Sequence, residues 1–512
     1  MMKFFILLIT LTIVFVAGTF VHAQNLYISG GNAFTAMVCA DGTVYTMGYN
    51  SSGQLGRTTV QNKDVNPGKV SGLPPIQVVD AGSSSTALAL DCNGEVWTWG
   101  NNAYGQLGDG QPVNANNFSS TPVHVVGIGG VGYLSNVLNI SAGGNMGYAV
   151  VGDNHQLVAW GGDESGELGD GHIGGAYNKS IPQYIRFSNG TILDSVVGID
   201  AGNAYCVVLR ADGSAWVFGE NGHNQCGPGG NQAYPVRIFK DDGTSLTNVK
   251  MVSAGDSHVM LEDSNGNLWT MGGTWGNDQL GTNGQYNGTP TIHEVLAGEQ
   301  QSFTGSKYLA GVKYISGGGA SSWAIVDWKG NGDGYMMAWG ASTYGGGSVA
   351  GGSEGLLGRG LNYTDIKGNA GSGVPVFSFY QDGSTIDTLK HVIAIGREDG
   401  TVFAETMDPV TKQLQLWGSG GNQKGQLGLG DSTDRGYFIK LNVPCEMAEP
   451  CPEADFGVNA LTVCPRDSFT LYAGSTGTFF HYIWWKDGSV LGNASLIRSG
   501  RASCRERVYV LV

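Results

Sequence analysis

The chain has 512 residues, of which 85 are glycine and only 13% are charged, with a formal charge of -15; average usage is about 7% glycine and about 25% charged residues, so this is a chain of turns. Fifteen prolines and the lack of a three-residue glycine period exclude collagen, while 41% hydrophobic content with 18 Phe, 21 Tyr and 12 Trp is enough for a sizeable core and excludes disorder. The acidic balance, with no clustered Lys or Arg, excludes recognition of a phosphate backbone, so nucleic acid is not an expected partner.

The chain opens MMKFFILLITLTIVFVAGTFVHAQ, one lysine followed by an apolar run from Phe4 to Phe20 and a small-x-small pattern at Val21-His22-Ala23. This reads as a secretory signal peptide over 1–23, cleaved before Gln24, which places the protein outside the cell or on its surface. No second long apolar run follows, so no transmembrane helix is expected in the mature chain.

From residue 24 to 444 one unit recurs seven times. Its first mark is an aromatic or Met before Gly: Met47-Gly48, Trp99-Gly100, Trp160-Gly161, Phe218-Gly219, Met271-Gly272, Trp339-Gly340 and Trp417-Gly418. Its second is GQLG or a variant, ending at Gly56, Gly108, Gly169, Gly227, Gly281, Gly358 and Gly428. Each unit begins with a short strand such as VVDAG (78–82), GIDAG (198–202) or VSAG (252–255), followed by an apolar strand such as TALAL. An Asp-Gly or Asn-Gly turn comes next, as at Asp41-Gly42, Asn93-Gly94, Asp212-Gly213 and Asn265-Gly266, pairs that accept the positive φ of tight hairpins. A third strand, VYTMG, VWTWG or LWTMG, places Tyr45, Trp97, Trp216 and Trp269 equivalently, and the last strand often opens with proline, where a missing N–H is tolerated. Four short strands in each of seven units predict an all-β, seven-bladed β-propeller of four-stranded blades. Tryptophan then fills the space within and between blades, and glycine lets them approach. A phosphate loop is the losing alternative, since no GxxxxGK[ST] occurs and strands, not a helix, follow the glycines.

The order aGxxH, DGxvywWG, GxNxxGQLG resembles the regulator of chromosome condensation repeat over Leu26 to Leu441, most specifically in units 1, 2 and 5. The histidine of that pattern survives as His258, with Phe34, Ser85, Met146, Tyr205, Ser321 and Asp399 at the matching places, which argues for a structural and interchangeable position. Units 6 and 7 carry insertions at 330–334, 345–355 and 407–412, expected at loop tips. Nucleotide exchange on a small GTPase is the activity best known in such a family, and the leader and the acidic charge argue against it here.

After Leu441 the composition changes. PCEMAEPCPEADF reads as a linker over 445–455, and residues 456–499 resemble the first half of an immunoglobulin-like domain, a partial β-sandwich with Cys464 on one strand and Trp484 and Trp485 ahead of a Lys-Asp-Gly turn. The closing stretch, 500–512, is abruptly basic and reads as a non-native tail. Two disulfide pairings suit an oxidising compartment, Cys39 with Cys92 and Cys445 with Cys451, while Cys206 and Cys226 read as buried thiols.

Signals of chemistry are weak. No GxSxG, HExxH, CxxC or CxxH occurs, so neither a catalytic residue nor a metal or other cofactor is expected. Asp327 to Gly334 fails the spacing of a calcium loop at Lys329, and Asp163, Glu164 and Glu167 read as a solvated loop before a cation site. The segment between WG and GQLG falls at the same place in each blade, so Tyr49, Asn102, Tyr104, Glu164, His223, Trp275 and Tyr344 are the candidate binding residues of one loop face. The expectation is a monomeric, non-catalytic binding protein for an extracellular protein partner. A glycan stacked on Tyr104 or Trp275 is the alternative, and an enzyme with a site in the propeller channel a third reading, to be supported only by a recurring polar cluster near the axis.

Overall fold

The computed structural model describes residues 27–31, 33–273, 278–341, 355–360, 371–397, 400–411 and 413–445, with three short strands at 482–486, 489–494 and 508–509. Seven antiparallel sheets follow one another in sequence at 28–69, 76–124, 137–184, 196–237, 249–294, 312–377 and 392–440, hereafter blades 1 to 7. Blade 2 gives the pattern: Ile76–Gly82, Thr86–Asp91, Val96–Asn101 and Phe118–His124 pair in chain order from the axis outwards. The innermost strand of each blade packs on that of the next, and that of blade 7 on that of blade 1, which closes the ring.

Local chemistry fixes each hairpin. Gly94, at φ 77°, makes the turn that the Asn-Gly pair predicts. The carboxylate of Asp91 accepts the Asn93 and Glu95 N–H groups and the Trp97 indole, and Asp263 does the same in blade 5 for Asn265, Asn267 and Trp269.

The second mark of the repeat joins neighbouring blades. Trp99, Trp160 and Trp339 are fully buried, and each indole N–H donates to the carbonyl of Gln54, Gln106 or Gln279 in the preceding blade, at 2.8, 2.9 and 2.9 Å. A Cβ on Gly56 would stand 2.9 Å from the Trp99 ring nitrogen, and one on Gly108 2.8 Å from the Trp160 ring. The bulkiest and smallest side chains are thus two halves of one latch, tryptophan from one blade closing on glycine of the blade before it.

Three features depart from the sequence reading. Cys39 pairs with Cys445, 406 residues away, while Cys92 is free, so the cross-link ties the end of blade 7 to blade 1 and does not join adjacent turns. Cys39 aligns with Asp91, not with Cys92, a one-residue offset that directs the two side chains differently. Blade 7 is the inner part of a six-stranded sheet: a hairpin, Phe379–Asp382 and Thr385–Thr388, joins its outer edge through a parallel contact of Tyr380 with Phe438. Beyond 445 the described strands form a single three-stranded sheet in which 508–509 pairs with 483–484, inside the stretch read as a tail, and no second sheet faces it among the described residues. The signal peptide, Cys451 and most of the linker lie outside the described residues.

Candidate binding face

The described loops between third and outer strands leave the blades at one end, and in blades 1, 2, 3, 4 and 7 two side chains organise each. An Asn or Asp ahead of GQLG accepts the N–H of its leucine equivalent: Asn50 from Leu55, Asn102 from Leu107, Asp163 from Leu168, Asn221 from Cys226 and Asn422 from Leu427, at 2.7 to 3.0 Å. The Gln, or Glu167 in blade 3, turns back to accept the N–H two residues earlier, from Ser52, Tyr104, Ser165, His223 or Lys424. In these five blades a buried or half-buried bracket holds the loop against a rigid sheet, the arrangement in which loops carry recognition.

The candidate residues separate on this geometry. Asn102 is 1% exposed and is the bracket itself, donating also to Asp109, so it is withdrawn from the surface and holds the loop in place of touching a partner. Glu164 is exposed, whereas Tyr49, Tyr104 and His223 are half-buried. Lys424 of blade 7 lies 5.0 Å from the Tyr49 ring centre. Trp275 and Tyr344 lie outside the described residues.

Apolar side chains that the sequence reading passed over stand at the same end, Val113, Ile173 and Tyr177 on the loops and Phe118 and Tyr234 on the outer strands that follow them. Val113, Phe118, Ile173, Tyr177 and Tyr234 are exposed across blades 2 to 4. Tyr177 stacks on His172 at 4.4 Å, and a Cβ at Gly171 would meet the Tyr234 hydroxyl. Their signal in the sequence is an aromatic or branched residue in the segment after GQLG, where polarity and the strand-opening proline point to a connection.

The axis carries a polar girdle. Asp80 accepts Ser29 and Ala81 on one oxygen and Ser141 and Ala142 on the other, so it links blades 1, 2 and 3. Asp200 accepts Ser253 and Ala254, and the hydroxyls of Ser141 and Ser253 receive the N–H groups of Ala201 and Gly317. The channel mouth beside it has a cavity of about 40 Å³, bridged by Ser83 donating to Asn203. A recurring polar cluster near the axis is therefore present, with its carboxylates occupied in joining blades. Among the described residues no group of three or more His, Cys, Asp or Glu is placed to hold a metal.

Titration marks blade 3. Burial pushes Asp163 up to about 7, with Asp170 adding to the effect and the Leu168 N–H opposing it, and burial likewise pushes Glu167 up to about 7. Burial also pushes the Cys206 and Cys226 thiols well up, which keeps them neutral, as expected of buried thiols.

Residues 41–89, 93–150 and 212–261 match the regulator of chromosome condensation (RCC1) repeat, and a second form of that repeat matches 76–106. The chain carries RCC1 repeats. It is 25% identical over 421 residues to the ultraviolet-B receptor UVR8 of Arabidopsis thaliana, across 80% of each chain. It is 28% identical over 224 residues to the E3 ubiquitin-protein ligase HERC2 of Mus musculus, which is 43% of this chain and 4% of the ligase. The RCC1-repeat chain thus spans only a small part of that relative. Yeast RCC1 (Prp20), solved with Kap60 bound, shares the propeller at a TM-score of 0.62 and 17% identity, over 86% of this chain and 92% of that one. RCC1-like propellers bind protein partners. No described helix is long and apolar enough to cross a membrane.

Proposed function

We propose that this RCC1-repeat propeller is an exported recognition platform, whose loop face binds an extracellular protein partner without catalysing a reaction. The observation that carries the reading is the set of exposed apolar side chains, Val113, Ile173 and Tyr177 on bracketed loops and Phe118 and Tyr234 on the outer strands that leave such loops, at one end of the ring. Large rigid side chains presented at little entropic cost are the usual anchors of protein interfaces. Tyr104 and Glu164 border this set, and Tyr49 and His223 extend it to blades 1 and 4. The platform acts as a monomer and without a cofactor, the leader over 1–23 exports it, and the segment from 456 serves as a partial immunoglobulin-like spacer. Export is supported by the leader's composition and by a disulfide that suits an oxidising compartment.

The test uses the full chain expressed with its own leader. Recovery from the medium with Gln24 as first residue is expected, and retention in the cell with Met1 intact overturns the export reading. The secreted chain, a variant with Phe118→Ser, Tyr177→Ala and Tyr234→Ala, and a control with Val131→Asp on the opposite end are then immobilised and offered a panel of extracellular proteins. A protein retained by wild type and control but not by the folded triple variant supports the loop face. Equal retention by all three moves the site elsewhere.

A further inference from the structure

Blade 3 has carboxylates at both places where the brackets of blades 1, 2, 4 and 7 have amides. In the amide blades the Asn accepts a backbone N–H with Oδ1 and donates with Nδ2. Asn102 gives to Asp109 at 3.3 Å, Asn422 to Asp431 at 2.9 Å, Asn221 to the Gly227 carbonyl at 2.8 Å and Asn50 to the Arg57 carbonyl at 3.2 Å. Asp163 keeps only the accepting half: Oδ1 receives the Leu168 N–H at 3.0 Å, while Oδ2, on a side chain with no exposed surface, is met by no protein donor. Facing it in the repeat is Asp170, which aligns with Asp109 across GQLGDG and GELGDG. The Asp170 carboxylate is already engaged by His172 at 3.0 Å and Gln183 at 3.0 Å. Blade 3 therefore sets a carboxylate where its neighbours set an amide, opposite another carboxylate.

We propose that the blade 3 bracket is a proton-operated clasp: a proton on Asp163 Oδ2 supplies the donor that Asn102 and Asn422 supply with Nδ2, and its loss loosens the loop over 163–178. Leaving a buried polar group unpaired, or a charge unpaired, is the costly alternative. The surrounding groups agree. Burial and then Asp170 raise Asp163, while His172 on the same loop and Lys179 on the outer strand oppose them; Glu167 is raised by burial and then by Asp163 and Glu164, with the Ser165 N–H opposing. From the strand beneath, Tyr148 donates its hydroxyl to the Glu167 carbonyl and burial keeps it neutral, as it does Cys226 of blade 4. Both carboxyls stand near 7 in the folded protein, against 3.8 and 4.5 ordinarily, so the native state binds more protons over that interval. Stability from these groups is present in acid and is lost as pH rises through about 7.

The test compares the full chain with Asp163→Asn, Glu167→Gln and the double variant. Wild type is expected to lose roughly 2–4 °C in Tm between mildly acidic and mildly alkaline buffer beyond any loss in the double variant. The protection of the Leu168 amide against hydrogen exchange should fall over the same interval relative to that of Leu107 in blade 2. Infrared difference spectra of wild type should show protonated carboxyl absorption that disappears near pH 7, is reduced in Asp163→Asn and is missing from the double variant. Equal Tm slopes in wild type and double variant overturn the clasp. So does the lack of a titrating carboxyl band in wild type, a reading that needs no variant to fold.

Discussion

Two seams of the ring are built from the same repeat and held in different ways. Between blades 1 and 2, Trp99 fills the gap against Gly56 and donates to the Gln54 carbonyl. Between blades 7 and 1 the equivalent side chain is Met47, which has no proton to give, and the corresponding carbonyl of Gln426 is taken by the Thr35 hydroxyl at 2.9 Å. Gly430 donates to the Val65 carbonyl there at 3.0 Å, as Gly110 does to Ser180 at the seam of blades 2 and 3. Every other seam also has the chain itself running across it. The last does not, because each blade is a consecutive stretch and no strand is exchanged between first and last. Opening a tethered seam liberates one loop, whereas opening the seam of blades 7 and 1 frees both ends of a ring, and that is where the disulfide lies. A weak non-covalent latch is tolerable wherever a covalent link duplicates it.

The comparison can be broken from either side. Trp99→Ala empties a fully buried indole site and leaves a carbonyl unpaired, an expected loss of about 3–5 kcal/mol in denaturant unfolding. Cys39→Ser should cost about 2–5 kcal/mol, and reductant should reproduce that loss in wild type while adding nothing to the variant. A further fall of the variant on reduction would mean a second cross-link. Gly108→Ala meets both a left-handed φ of 60° and the Trp160 ring at 2.8 Å, so about 2 kcal/mol should be lost at the seam of blades 2 and 3. If Gly108→Ala is silent, the close approach of ring and glycine does not hold that seam.

How much of this could be read in the chain depends on what each residue answers to. The strand order, the turns and the WG marks of the first six units answer to local pattern; in blade 7 the mark lies two residues later than Trp417-Gly418, because Gly420 pairs with Thr401 as Gly100 pairs with Thr86, so Ser419 stands at the place of Trp99 and Trp417 at that of Trp97. Asn102 read as a loop residue because polarity in a loop suggests the surface, while its role depends on a backbone N–H five residues on that no composition reveals. Its return in Asn50, Asn221 and Asn422, always five before the Leu or Cys, was the available signal. Asp80 and Asp200 stood in view within VVDAG and GIDAG, but their partners lie about fifty to sixty residues away in the next blade. The Cys39 to Cys445 bond joins the two ends of a closed ring, so it follows from closure and not from spacing. The extra hairpin at 379–388 turns on an Asp-Gly pair, Asp382-Gly383, that belongs to no unit of the repeat, so the repeat pattern does not reveal it.

The smallest effect bears on whether the closing seam belongs to the recognition surface. Lys424, exposed on the blade 7 loop, stands 5.0 Å from the Tyr49 ring of blade 1, the geometry of a cation over an aromatic face. Such a contact at an exposed site is worth about 0.5 kcal/mol, so Lys424→Ala should move Tm by no more than about a degree. The ring would then be open on the side from which the lysine covered it. If the partner engages the loop face around the whole ring, Lys424→Ala alters its off-rate while stability holds, and Tyr49→Ala weakens binding further. If binding is unchanged in both while the substitutions at Tyr177 and Tyr234 weaken it, recognition is confined to blades 2 to 4, and the closing seam serves the ring alone.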